Sequence, residues 1–274
     1  MPRPAAFVGP TAVVFTTGQV NSVTIATTGF PAAALTESGT LPGGVTFIAN
    51  GNGTATISGT PAAGTAGLVP YSFTITASNG IALTATETFK LTIDQPPVIT
   101  RANNATFTVG KAGSFTITTT AGLPKTTTLS ASGKLPSGVS FTAGSNGTAT
   151  LHGTPAAGTG DSYTITLTAG NATGSQTTQT FTLNVDQAPT ITSAAGATFT
   201  VGQVGSFTVT TKGFPAATIT ESGTLPSGVT LVNKGNGTAI LSGKPTVKGS
   251  FPLTILVSDG VLPEALQLFD LTVE

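Results

Sequence analysis

The chain has 274 residues, 38% of them hydrophobic and only 7% charged, with ten basic against ten acidic side chains and no cysteine. Such a balance leaves no net field to draw nucleic acid or an anionic membrane, and it excludes a disulfide framework. The apolar share suffices for packed cores, and no apolar run approaches the ~20 residues of a membrane-spanning helix. The 57 threonines, 35 glycines and 18 prolines combine a β-branched strand former with two turn formers. The composition therefore reads all-β.

Taken in order, the chain repeats itself three times. The block SGTLPGGVTFIANGNGTATISGTP, Ser38 to Pro61, returns as SGKLPSGVSFTAGSNGTATLHGTP, Ser132 to Pro155. It returns again as SGTLPSGVTLVNKGNGTAILSGKP, Ser222 to Pro245. Leu41, Leu135 and Leu225 are 94 and 90 residues apart, and Phe15, Phe107 and Phe199 are 92 and 92 apart. A period of this length means tandem modules, with expected boundaries 1–95, 96–187 and 188–274. The joints, Asp94-Gln95-Pro96-Pro97 and Asp186-Gln187-Ala188-Pro189, lack a Gly/Ser run and read as stiff. The start at Met1, without an apolar leader, and the end just after FDLTV read as a piece cut at a module edge.

Within the second module, period-2 alternation predicts seven short strands. They are Phe107–Val109, Ser114–Thr118, Thr128–Ala131, Val139–Phe141, Thr148–Leu151, Tyr163–Leu167 and Phe181–Val185. Phe115, Ile117, Val139, Phe141, Ala149, Leu151, Tyr163, Ile165, Leu167, Phe181, Leu183 and Val185 fall on inward faces. Asn146-Gly147 predicts a type I′ hairpin turn, and residues 170–174 predict a second hairpin. Gly153-Thr154-Pro155 between them predicts a crossing to the other sheet. Two hairpins separated by crossings predict an immunoglobulin-like β-sandwich. Three such seven-stranded sandwiches in series make an elongated rod, on the order of 100 Å long at ~3.3 Å per strand residue.

The pattern LPSGVxF…NGTATLxGTP, followed by YTITLTAGN and TFTLNVDQAP, resembles the bacterial He_PIG repeat, an Ig-like and cadherin-like module. The resemblance covers essentially the whole chain. It implies a bacterial surface or extracellular protein, in which such repeats serve as spacers or stalks. The same repeats occur in adhesins, beside enzymes and in phage structural proteins. The expected partners are neighbouring modules or copies of the chain, with surface glycans or proteins as the alternative.

Candidate chemistry is sparse. The sole histidine, His152, has Ser58 and Ser242 as counterparts in the other repeats, and no acid beside it in sequence. A triad therefore lacks its parts and the chain reads as no enzyme. The cadherin likeness raises calcium at the joints, with Asp94, Asp186 and Glu87 as candidate ligands. Calcium takes six to eight oxygens, and no Asp-x-Asp cluster supplies them. An intramolecular isopeptide would need an inward lysine, whereas Lys90 alternates outward. Loop contacts are expected of Phe30 and Phe214, each before a proline and replaced by Leu123 in the second module, and of Asp259 in a loop peculiar to the third. The Asn-x-Thr sequences at Asn52, Asn104, Asn146, Asn171 and Asn236 include three that turn geometry alone explains.

Overall fold

The computed structural model describes residues 1–274 except 82, 121 and 126. The first repeat contributes β1 (Arg3–Val8), β2 (Ala12–Thr16), β3 (Asn21–Phe30), β4 (Ala34–Ser38), β5 (Val45–Ala49), β6 (Thr54–Gly59), β7 (Tyr71–Ser78) and β8 (Ala85–Asp94). The second contributes β9 (Val98–Ile99), β10 (Asn104–Thr108), β11 (Gly113–Thr120), β12 (Thr127–Ser132), β13 (Val139–Ala143), β14 (Thr148–Gly153), β15 (Asp161–Asn171) and β16 (Gln176–Ile191). The third contributes β17 (Gly196–Phe199), β18 (Gly205–Phe214), β19 (Thr218–Gly223), β20 (Val229–Asn233), β21 (Thr238–Gly243), β22 (Gly249–Ser258) and β23 (Ala265–Val273). Helices are absent among the described residues.

One wiring recurs. In the first repeat one sheet has the order β1-β3-β6-β5 and the other β2-β8-β7-β4. The second repeat matches it with β9-β11-β14-β13 and with β10-β16-β15-β12, and the third with β17-β23-β22-β19. Its other sheet, β18-β21-β20, is completed by the far end of β16. The first strand of each sandwich is divided between the sheets. In the first repeat β1 pairs antiparallel with β3, Gly9 (φ +117°) and Pro10 break the strand, and β2 pairs parallel with β8. The alternation read in the second repeat missed β9 because it is a two-residue edge strand.

Three separate apolar clusters fill the interiors. Phe15, Ile57, Ile75, Phe89 and Leu91 centre the first, Ile117, Leu151, Leu167, Phe181 and Leu183 the second, and Val209, Leu241, Ile255, Phe269 and Leu271 the third. Most inward residues expected in the second repeat are buried, among them Phe181, Leu183 and Val185 at 0% exposure, while Phe115, Phe141 and Tyr163 are half-buried and pack against the rim of the core. Burying each such side chain is worth about 1.5–3 kcal/mol. A tilted phenylalanine pair spans each core: Phe73–Phe89 at 5.6 Å, Phe115–Phe181 at 5.2 Å and Phe207–Phe269 at 5.1 Å between ring centroids.

The hairpins fall where expected, joining β13 to β14 and β15 to β16, and residues 154–160 cross between sheets. The Asn-Gly turn differs in detail. Four residues, not two, link β13 to β14, and φ is positive at both Asn146 (57°) and Gly147 (71°). In the other repeats glycine takes the left-handed position one residue earlier, at Gly51 (77°) and Gly235 (74°). The asparagine is then free to cap the next strand, Asn52 Oδ1 accepting from the Thr54 amide at 3.2 Å and Asn236 Oδ1 from the Thr238 amide at 3.2 Å. Ser145 stands at this position in the second repeat, so the left-handed residue moves onto Asn146, a type that tolerates it.

Candidate functional site

The joints carry the densest polar chemistry. At the first joint Asp94 ends β8 with its carboxylate fully buried. Its Oδ1 accepts from Asn171 Nδ2 at 2.5 Å and from Thr173 Oγ1 at 2.5 Å, and its Oδ2 accepts from the Ser175 hydroxyl. All three donors sit on or beside the β15–β16 loop of the next repeat. A buried carboxylate is costly unless donors surround it, and here two hydroxyls and a carboxamide do so. Asn171 Nδ2 also donates to the Gln95 carbonyl at 3.1 Å, and Gln95 and Leu123 exchange two backbone hydrogen bonds of 2.9 Å each. The joint is thus held by side chains and main chain together.

At the second joint the main chain is continuous strand. β16 pairs with β15 in its own repeat and then, past a bulge at 187–190, with β18 of the next. Thr192 extends the pairing, its amide donating to the Thr210 carbonyl at 2.8 Å. Gln187 Oε1 accepts from the amides of Gly158 at 2.9 Å and Gly160 at 3.1 Å, tying the joint back to the second repeat. A side chain at Gly160 would collide with Gln187 Cβ at 2.5 Å, so glycine lets the joint close.

One loop position distinguishes the repeats. Asn79, Asn171 and Asp259 occupy the same place after strands β7, β15 and β22. Asn79 Nδ2 donates to the carbonyls of Arg3 at 2.7 Å and Pro31 at 3.1 Å. Each of the three side-chain oxygens also accepts an amide two residues on: Ile81 at 3.2 Å, Thr173 at 3.2 Å and Val261 at 2.9 Å. In Asp259 the second atom is Oδ2, which is buried without a hydrogen-bond partner. A Cβ placed on Gly213 would lie 3.0 Å from this oxygen and 3.1 Å from the Gln187 carbonyl oxygen, so two acceptors face the same spot. Burial pushes the neighbouring Asp186 carboxyl up from its ordinary value, and the charge on Asp259 pushes it further.

The sign follows from that direction. A carboxyl with a raised pKa binds its proton more readily folded than unfolded. Ionised Asp186 therefore detracts from stability, and this penalty grows as pH rises through its raised pKa and vanishes below the ordinary 3.8. Asp259→Asn removes the facing charge and restores a donor. We expect it to stabilise the third repeat by about 1 kcal/mol at neutral pH. The gain should shrink toward pH 4, as read by chemical denaturation at several pH values; an equal or negative effect at pH 7 would refute the reading.

The remaining sequence candidates are scattered. Glu87 pairs with Ile75 in mid-strand, seven residues before Asp94 on one strand and so about 23 Å away. The structure does not bring them together. Among the described residues no group of three or more His, Cys, Asp or Glu side chains converges. Phe30 is 64% exposed, whereas Leu123 and Phe214 are half-buried against the repeat before them. That neighbour, rather than the sandwich interior, is what covers this loop. His152 is exposed and shares a 2.9 Å hydrogen bond with Thr142, and Lys90 points outward. Asn171 was missed as a joint residue: its sequon suggests surface, but the side chain is 8% exposed.

Sandwiches in series, each with a divided first strand and joined by hydrogen-bonded joints, define a tandem immunoglobulin-like protein. The chain belongs to the Putative Ig domain family, which matches residues 4–94 and again 96–186. A search of the curated proteins finds no match. Among solved structures, the N-terminal eight Ig domains of Down Syndrome Cell Adhesion Molecule are similar at TM-score 0.60 and 16% identity, over 99% of this chain and 36% of that one. Dpr2 Ig1-Ig2 in complex with DIP-Theta Ig1-Ig3 is similar at TM-score 0.54 and 10% identity, over 99% and 100%. A titin I-band fragment aligns at TM-score 0.48 and 16% identity, over 99% of both chains. At these identities the likeness is one of fold.

Proposed function

We propose that the chain is a non-catalytic spacer, built of three Ig-like units at 1–95, 96–187 and 188–274, on a bacterial surface or in an extracellular fibre. The observation that carries this is the construction of the joints. One is a buried carboxylate held by three donors from the next repeat, and the other is an unbroken 16-residue strand shared by two repeats. A spacer depends on stiff joints, since its span falls as its joints bend. Threonine-covered, charge-poor faces serve the same end, presenting little for a ligand to grip.

Small-angle scattering of the full chain tests the proposal. A stiff rod of three modules should show a maximum dimension on the order of 100 Å, independent of salt and of chelator. A folded-back particle, or a broad distribution of lengths, would reject the spacer.

A further inference from the structure

The third repeat differs from the others on one outward sheet face. In the first repeat, β7 and β8 place Thr76 opposite Thr86 and Thr74 opposite Thr88. In the second, Thr168 faces Thr178 and Thr166 faces Thr180. In the third, the same register places Leu256 opposite Leu266 and Thr254 opposite Leu268. Three outward threonines have become leucines on adjacent strands. Leu266 is 68% and Leu268 80% exposed. The inward alternation of β23, through Phe269, Leu271 and Val273, is intact, so the leucines are no register slip.

Leu268 itself walls an open groove of about 270 Å³, with Ala195, Pro252, Thr254 and Asp270 around it. An exposed leucine ridge and a groove roomy enough to admit a leucine thus share one face. We propose that this face pairs with the same face of a second copy of the chain. A two-fold axis then seats each Leu268 in the groove of its partner, as an isologous contact requires. The face is made of strands of four, nine, ten and six residues, which at about 3.3 Å per residue and about 4.8 Å per strand offer about 450 Å² per copy. The total of about 900 Å² is that of a weak, reversible association. Asp270 also lines the groove, its carboxylate accepting from Ser250 Oγ at 2.7 Å.

The pairing is separate from the spacer reading, since a rod can be monomeric or paired. Sedimentation velocity on the full chain should show a dimer with Kd on the order of 10 µM. Leu266→Thr with Leu268→Thr, which installs residues the other repeats already carry there, should raise Kd at least about tenfold. The melting transition should stay in place, because the replaced side chains point to solvent. In a chain without cysteine, Leu268→Cys should form a covalent dimer with oxidised glutathione and Thr180→Cys should not. A monomer up to about 0.5 mM, a dimer indifferent to the threonine pair, or equal cross-linking at both positions would overturn the proposal.

Discussion

Gly153→Ala should destabilise the second repeat by about 3–5 kcal/mol, lowering its melting transition by roughly 15–30 °C for a domain of this size. Gly153 closes β14 with φ +138°, a conformation that side-chain-bearing residues rarely adopt. A Cβ there would stand 2.1 Å from the Gly138 carbonyl oxygen and 3.0 Å from Val139 Cα. These are backbone atoms of the paired strand and cannot swing aside. The contact is reciprocal, since a Cβ on Gly138 would stand 2.1 Å from the Thr154 carbonyl oxygen. Gly44 with Gly59, and Gly228 with Gly243, repeat the arrangement. Gly158→Ala is the control: φ is +81° and open space surrounds the site, so only the conformational cost of about 1–2 kcal/mol remains. Calorimetry ranks the two, and equal losses would show that close strand approach is not what the glycine protects.

Asp94→Ala should cost the first joint about 2–4 kcal/mol. The substitution removes the acceptor shared by the Asn171 carboxamide and the Thr173 and Ser175 hydroxyls, leaving Asn171 with the Gln95 carbonyl and Thr173 with Asn171 Oδ1 as partners. Because the acceptor and its donors belong to adjacent repeats, the loss falls on their coupling. The first repeat should then melt more independently of the second, and scattering should report a wider range of bend at this joint. Adding Asn171→Ala should cost less than the two single changes summed, because the bond between them is lost only once. Melting and bending like the parent chain would show that the carboxylate does not hold the joint.

Much of the architecture was legible because it is written locally. A strand with one face in the core alternates every two residues, and Phe181, Leu183 and Val185 show this without any partner in view. The threefold block made the modules visible by arithmetic. Its glycines read as turn formers, whereas in the structure they let the chain pass against a paired strand. The two-residue edge strand β9 was illegible, since so short a pairing leaves no alternation to read. The candidate site was legible only in half. Asp94 and Asp186 stood out as acids at the joints, but their surroundings did not.

The sequence by itself determined the threefold repeat, most of the strands and their inward faces. Each depends on neighbours a few residues away or on the repeat itself. What only the tertiary structure decided is which groups meet across the joints and which face is left bare. Asp94 meets its donors 77, 79 and 81 residues further along the chain, a separation over which no local pattern carries. Asp259 looks like a turn residue until Gly213 and Gln187 are folded beside it. Leu266 and Leu268 look like core residues until pairing with β22 fixes the register and turns them to solvent.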